Sequence, residues 1–326
     1  MGNVTFEYQN TKLISNSRFN RIRVLYKTIL ILLLTVFVST SSVFAGELLV
    51  SKAFHDVAIQ ADFGNAESRN VMQILKSHAE VATEFGGGYL SAILKQGEWK
   101  ESDHSHWFYY VNGVLASVGA LLFYPKSGDH IWWDLHSWDG ERYLSAVIGA
   151  WPEPFLSGAG GSESVPSTNI WAAAGFQEEG ARLGELLKKK RVRDVMISAL
   201  EQNSKVNFER NFSICIGPWQ SLQQNQKLDD LFKHGAKVGL FVQHKNHQLI
   251  ALDWKGKETK MYEKAGCIIA LKSAFESFHP VWIVSGTDEA SVSQAFTVLV
   301  DHPEKIRNRP GVIVTEKEVA NVPLFT

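Results

Sequence analysis

Aromatic residues dominate the hydrophobic pattern between residues 106 and 138. The segment 107–111 reads WFYYV, and the pair Asn112-Gly113 follows it. Both central residues of a type I′ turn need a positive φ, so Asn-Gly between apolar segments predicts a β-hairpin. A second aromatic strand, predicted at 131–133, follows a turn signal at Ser127-Gly128-Asp129.

The alternation along these strands predicts two aromatic faces. Trp107 and Tyr109 should share one face, and Phe108 and Tyr110 the other. One face is expected to fill the core over a helix. The other is free to contact either a ligand or the second half of the chain, since amphipathic aromatics serve both uses.

The residues before the hairpin predict a strand, a helix and a further strand. Alternation of apolar and polar residues indicates a strand at 54–63. Val71 and Ile74 then stand at helical spacing, and we expect Ser68 to cap this helix, which ends near Ala79. Three consecutive glycines then precede Tyr89, which opens a predicted strand at 89–94. Glycines allow positive φ or a close backbone approach. Because no Lys-Ser/Thr pair follows them, a phosphate-binding role is weak.

Strands and helices alternate in the second half, which predicts an open α/β sheet. The predicted strands are 169–173, 212–216, 267–271, 281–284 and 311–315, together with a hairpin of 238–243 and 248–253. The first predicted helix is 177–190, and residues 195–200 are expected to extend the helical region. Further helices are predicted at 228–232 and from a cap at Thr287 or Asp288 to about Val300.

A glycine-rich stretch separates the halves. Residues 157–162 read SGAGGS, which is typical of a flexible junction. The predicted organisation is therefore residues 46–155 as a first domain, 156–166 as a linker and 167–326 as a second domain, after a targeting segment at 1–45. The fold class is α+β: a mixed sheet over one helix, of β-grasp type, followed by an α/β domain with an open sheet.

The first 45 residues resemble a secretory signal. Five basic residues precede an apolar stretch at 29–38, and small residues surround Ala45. Cleavage after Ala45 would place the mature protein outside the cytoplasmic membrane, as a secreted or cell-envelope protein. The alternative is a membrane anchor through 29–46, which is just long enough to span a bilayer.

Charge and composition exclude some function classes. The chain has 33 basic and 34 acidic residues, of which 28 basic and 33 acidic residues lie after residue 45. The chain after residue 45 is therefore mildly acidic, which does not favour a nucleic-acid partner. Cys215 and Cys267 lie in apolar runs; outside the cytoplasm they could pair, and the sequence leaves this open.

The aromatic hairpin and the glycine triplet together carry a family resemblance. WFYYVNG, the GD before an aromatic strand and the upstream GGGY resemble the domain family related to the C-terminal part of transcobalamin, over residues 54–138; VIGAWPEPF resembles members with a further C-terminal domain. The resemblance implies a β-grasp ligand-binding module of exported bacterial proteins, often found beside vitamin-uptake systems. It therefore implies a small-molecule ligand, with cobalamin as the leading guess, and a membrane transporter as a partner.

Catalytic signatures are few. The sequence has no GxSxG, Walker loop, HExxH or dinucleotide fingerprint. His104 and His106 would share a strand face, but solvated histidines are the favoured interpretation over a metal site. The Ser285–Asp288 segment favours helix capping over ligand binding. Asp129, Asp134 and Glu153 are the carboxylates that could serve an extracellular carbohydrate-active hydrolase.

We therefore expect a non-enzymatic, exported small-molecule-binding protein with no catalytic, metal or cofactor site. The expected ligand contacts are the rings of the two aromatic strands, with Tyr89 at the rim: Trp107, Tyr109, Tyr110, Trp132, Trp133 and Tyr89. The alternatives are the hydrolase and a structural cell-envelope protein in which both aromatic faces are buried.

Overall fold

The computed structural model describes residues 46–66, 68–94, 99–102, 104–138, 140–160, 164–272 and 279–325. The predicted signal at 1–45 lies outside these residues, and so does all but the last residue of the alternative anchor at 29–46. Among the described residues, no helix is long and apolar enough to cross a membrane.

The first half forms an α+β arrangement, as the sequence predicts. Its helix is α1 (Val71–His78), and its strands are β1 (Gly46–Lys52), β2 (Asp56–Gly64), β3 (Val81–Glu84), β4 (Tyr89–Ile93), β5 (Trp99–Lys100), β6 (Ser105–Val111), β7 (Val114–Leu115) and β8 (His130–Ser137). β3, β4 and β5 form a small antiparallel sheet.

A mixed sheet in the order β2-β1-β8-β6-β7 carries the aromatic strands. β1 lies inside it, antiparallel to β2 and parallel to β8. β1 is not among the strands that the sequence predicts. The mixed sheet and the helix packed on it agree with the predicted fold class, while the more specific β-grasp assignment stays a prediction.

Helix α1 begins with a capping box. The Asn70 side chain accepts from the Gln73 amide, and the Gln73 side chain accepts from the Asn70 amide, both at 2.9 Å. Ser68, the predicted cap, has a positive φ and lies before the helix. The buried side of the helix holds Val71 and Ile74 against the sheet, as their spacing predicts.

The predicted Asn112-Gly113 turn joins β6 and β7. Both residues have positive φ, 53° and 77°. Gly113 is required for a second reason, since a β-carbon there would lie 2.7 Å from the carbonyl oxygen of Val147.

The second half contains α2 (Gln177–Lys189), α3 (Trp219–Gln223), α4 (Gln226–Lys233), α5 (Gly235–Val238) and α6 (Glu289–Asp301). Its strands are β9 (Thr168–Ala172), β10 (Val195–Ala199), β11 (Phe212–Ile216), β12 (Val242–Lys245), β13 (Gln248–Leu252), β14 (Glu258–Tyr262), β15 (Gly266–Lys272), β16 (Pro280–Gly286), β17 (Val312–Val314) and β18 (Val319–Asn321).

An open sheet in the order β10-β9-β11-β16-β15-β17-β18 forms the centre of this half. The first four of these strands run parallel, and β15 joins antiparallel to β16. Helices α2 and α6 cover one face, and α3 and α4 cover the other. The predicted open α/β sheet is confirmed. The prediction that residues 195–200 extend a helix is wrong, because they pair with β9 as the edge strand β10.

The two cysteines lie on strands that β16 separates. Cys215 of β11 pairs in register with Ile283, and Cys267 of β15 with Ser285. Two strand spacings are about 9.5 Å, beyond the roughly 7 Å limit for a disulfide. Both thiols are free and buried.

Described residues of the predicted linker pack against the hairpin. Ala159 is buried, and the carbonyl oxygen of Gly158 accepts from the Asn112 side chain at 2.8 Å. A β-carbon at Gly160 would lie 2.7 Å from Cβ of Val111. Residues 161–163 are outside the described residues, and the division at 156–166 stays a prediction.

Candidate functional site

The first predicted aromatic face lies in the core over α1. Trp107, Tyr109 and Trp133 are each at most 8% exposed and pack with the buried side of the helix. Tyr109 and Trp133 are cross-strand partners whose ring centroids lie 5.0 Å apart. The predicted alternation and the predicted packing of this face are both confirmed.

The opposite aromatic face is also buried, against the second half of the chain. Tyr110 and Trp132 are fully buried in a cluster with Phe241 and Ile250. The hydroxyl of Tyr110 donates to the carbonyl oxygen of Leu144 at 3.0 Å. Ligand contact by these five strand aromatics stays a prediction, and it would require one of the covering layers to move.

Asp134, one of the predicted carboxylates, holds a buried polar network together. It is 0% exposed and accepts from the Ser51 hydroxyl, from the Phe54 amide at 3.0 Å and from His136 Nδ1 at 2.9 Å. Ser51 in turn accepts from Trp132 Nε1 at 2.7 Å. The Phe54 backbone is left-handed, with φ of 57°, so Asp134 fixes an uncommon turn.

Asp129 lies at the predicted turn. Its carboxylate accepts from the Asn112 side chain at 2.8 Å and from the Lys126 amide at 2.7 Å. Burial raises the pKa of Asp129 despite these hydrogen bonds.

Glu153 is a second buried carboxyl group in the same region. It accepts from both the amide and the hydroxyl of Ser157, at 2.8 and 2.6 Å. Burial raises the pKa of Glu153 to about 7, and the negative charge of Asp129 contributes to the rise. Asp129 and Glu153 are thus two carboxyl groups that are each under a tenth exposed and whose pKa values are raised by burial.

Two further sequence candidates, Asp288 and His106, have carboxylate or helix-capping partners. Asp288 caps α6, accepting from the Ser291 amide at 2.8 Å, as predicted. Hydrogen bonds from the side chain and then the amide of Ser291 lower the pKa of Asp288. His106 lies 3.8 Å from a Glu101 oxygen. Across the described residues, no group of three or more His, Cys, Asp or Glu could hold a metal ion.

Apolar side chains face solvent at two loops beside the aromatic sheet. One is the turn between β3 and β4; the other spans residues 116–125. We call their exposed residues the apolar loop surface: Phe85, Tyr89, Val118, Leu122 and Tyr124. The loops touch, since a β-carbon at Gly88 would lie 3.2 Å from Cδ1 of Leu121. Only Tyr89 of this set is among the predicted site residues, because isolated apolar residues of a loop give no periodic signal.

The first turn of α1 fixes the second loop. The amide of Val71 donates to the carbonyl oxygen of Phe123 at 3.0 Å, and that of Met72 to Ala120 at 3.3 Å. These amides have no partner within the helix, so the loop satisfies them. Ala120 and Phe123 are thereby buried, whereas Leu122 between them is 76% exposed.

Phe85 is the most exposed member. Its side chain is 84% exposed, and its φ of 48° begins three successive left-handed residues, Phe85-Gly86-Gly87. A bulky residue in this region is a genuine outlier that costs of order 1–3 kcal/mol. The ring meets Tyr89 edge to face at 5.8 Å.

Tyr89 is held from the other side. Partial burial and then a hydrogen bond to Glu101 raise its pKa to about 12. Its hydroxyl therefore stays neutral at physiological pH, and its ring is fixed at the edge of the surface.

Comparison with known families gives one match. The model of a domain of unknown function, DUF4430, matches residues 68–137, about a fifth of the chain. The matched segment lies within residues 54–138, where the sequence carries its family resemblance, and it contains the whole apolar loop surface. No curated protein matches the chain.

Proposed function

We propose that this is an exported, non-enzymatic binding protein that holds a small ring-bearing molecule on the apolar loop surface. The observation that carries the proposal is Phe85, a large ring held out in water by a strained backbone. Both its exposure and its backbone cost free energy in the unbound protein, and a ligand stacked on the ring would recover part of that cost.

The core beneath the surface supports this role. The Tyr109 hydroxyl donates to the carbonyl oxygen of Val118, so the buried aromatic strand holds the loop from below. A rigid support lowers the ordering cost of binding. On this proposal, the buried aromatics on the α1 side of the sheet support the loop, since they pack in one core with Ala120 and Phe123. The contacts with the ligand come from Tyr89, Phe85 and Leu122.

The ligand class comes from the family resemblance. DUF4430 is a transcobalamin-like family, which favours a corrinoid such as cobalamin, with a membrane transporter as the partner that receives it. This step is by analogy of fold and remains part of the proposal.

The proposed contact predicts a binding defect in surface variants. Phe85→Ser and Leu122→Ser should each raise the Kd for cobalamin by about tenfold, which corresponds to about 1.4 kcal/mol. Tryptophan fluorescence of the full chain, corrected for cobalamin absorbance, measures the Kd. Met261→Ser removes an apolar side chain of similar exposure on β14 and should bind as the wild type does.

Two results would contradict the proposal: a folded wild-type protein that binds no corrinoid, or equal affinity in all four proteins. A folded protein that binds no corrinoid would favour the structural cell-envelope alternative, in which the aromatic sheet serves only to hold the core together. The hydrolase alternative would use the buried carboxyl groups of Asp129 and Glu153, and release of shorter oligosaccharides from a polysaccharide by the purified protein would support it.

Export predicts a shortened native protein. If the segment ending at Ala45 is removed, intact-mass spectrometry of protein from its native host should find a chain that starts near Gly46. That residue begins β1, so cleavage there would leave the sheet intact. Recovery of intact Met1 from the membrane fraction would instead show the anchor.

A further inference from the structure

A cleft of about 470 Å³ lies mainly in the second half of the chain, and it shares no lining residue with the apolar loop surface. Helices α3 and α4 form one wall, and strand β12 forms another. Trp219, which begins α3, lies three residues beyond the carboxyl end of β11. Ligands of open α/β sheets bind outside the carboxyl ends of strands, and the volume is in the range of small-molecule sites.

The apolar lining of the cleft is aromatic. The rings of Trp219 and Phe232 stack with centroids 4.4 Å apart and planes 23° apart. The imidazole of His244 is nearly parallel to Trp219, at 15° and 6.2 Å. Trp219 itself is only 2% exposed, so Phe232 and His244, which are partly exposed, offer the ring surface to a planar guest.

One polar atom of the lining has no partner. Nε2 of His244 is buried and makes no hydrogen bond with any described residue. A buried polar atom left unpaired costs about 1–3 kcal/mol, so a ligand that pairs with it gains affinity. Burial, and then the charge of His247, lower the pKa of His244, which favours the neutral ring.

The charged lining is mostly cationic. Arg142, Lys233 and Lys245 line the cleft together with one carboxylate, Asp229. Asp229 pairs with Lys233 at 2.5 Å, and Lys245 lies 3.6 Å from Glu258 on the neighbouring strand. Three cationic side chains and one carboxylate on the lining favour an anionic guest over a cationic one.

We propose that this cleft is a binding site for a small, ring-bearing anion such as an aromatic carboxylate. The site is independent of the proposed function, because it shares no residue with the apolar loop surface. The probe is 1-naphthoate, with the uncharged 1-naphthamide as its isostere, and binding is measured by calorimetry on the full chain.

Wild-type protein should bind 1-naphthoate at least about fivefold more tightly than 1-naphthamide. Gln243→Trp, at an exposed position on the cleft wall, should block both probes without unfolding the chain. Lys245→Glu should raise the Kd for 1-naphthoate about tenfold. The matched control is Lys260→Glu on β14, an exposed lysine paired with Glu318, which should change the affinity less than twofold.

Phe85→Ser separates this proposal from the proposed function, since it should leave 1-naphthoate binding unchanged. No binding at 10 mM probe (roughly the weakest affinity worth assigning to a site) would overturn the inference. So would unchanged binding in folded Gln243→Trp, or equal losses in the two lysine variants.

Discussion

Replacing Asp134 with alanine should lower the free energy of unfolding by about 3–5 kcal/mol. The carboxylate is fully buried and accepts from Ser51, the Phe54 amide and His136. Its removal leaves these donors in the interior without an acceptor, and it releases the left-handed turn at Phe54. Urea unfolding of the full chain, followed by tryptophan fluorescence, measures the loss.

Two variants control for the specificity of this effect. Asp134→Asn keeps one acceptor oxygen, so its free energy of unfolding should fall less than that of the alanine variant. Asp56→Ala removes an exposed aspartate at the start of β2 and should change stability by no more than about 0.5 kcal/mol. An Asp134→Ala loss as small as that of Asp56→Ala would mean that the network does not support the fold.

Replacing Glu153 with glutamine should stabilise the protein at alkaline pH. The pKa of Glu153 is raised from 4.5 to about 7 in the folded state. A raised pKa contributes stability that is fully present below 4.5 and is lost as the pH rises through 7. The neutral variant lacks this loss, so its stability relative to the wild type should rise by about 2–3 kcal/mol between pH 4.5 and pH 8.

Glutamine can still pair with the amide and hydroxyl of Ser157, which keeps the local geometry. Denaturant unfolding at several pH values gives the difference between the two proteins, and Glu209→Gln, at an exposed position, is the control. A pH-independent difference between Glu153→Gln and wild type would show that Glu153 titrates as it does in water. A fall in relative stability with rising pH would show that the buried carboxylate is stabilised by its hydrogen bonds.

The sequence could not decide whether the aromatic strands contact a ligand or lie in the core. A run such as WFYYV is equally suited to contacting a ligand or to packing between two layers. The choice depends on what covers the second face, and here Phe241 and Ile250, more than 100 positions away in sequence, do so. Phe85 and Leu122 belong to no periodic pattern, and only the loop geometry reveals their exposure.

The missed and misassigned strands have a related cause. The residues of β10 include Val195 and Ile197, and a short apolar run directly after a helix is compatible with either helix or strand. These residues form a strand because they pair with β9 at the edge of the sheet. β1 has a similar short apolar run, and its place between β2 and β8 depends on residues far along the chain.

The sequence by itself determined the local features of this protein. Asn112-Gly113 fixes a turn because its φ values are intrinsic, period-two alternation divides Tyr109 from Tyr110, and Asp288 caps its helix through its own neighbours. Tertiary structure alone decided burial and proximity: Asp134 beside Ser51, Glu153 near Asp129, and Trp219 facing His244. The physical reason is that a side chain's solvent exposure and charge environment are set by whichever distant segments cover it, and local sequence does not encode them.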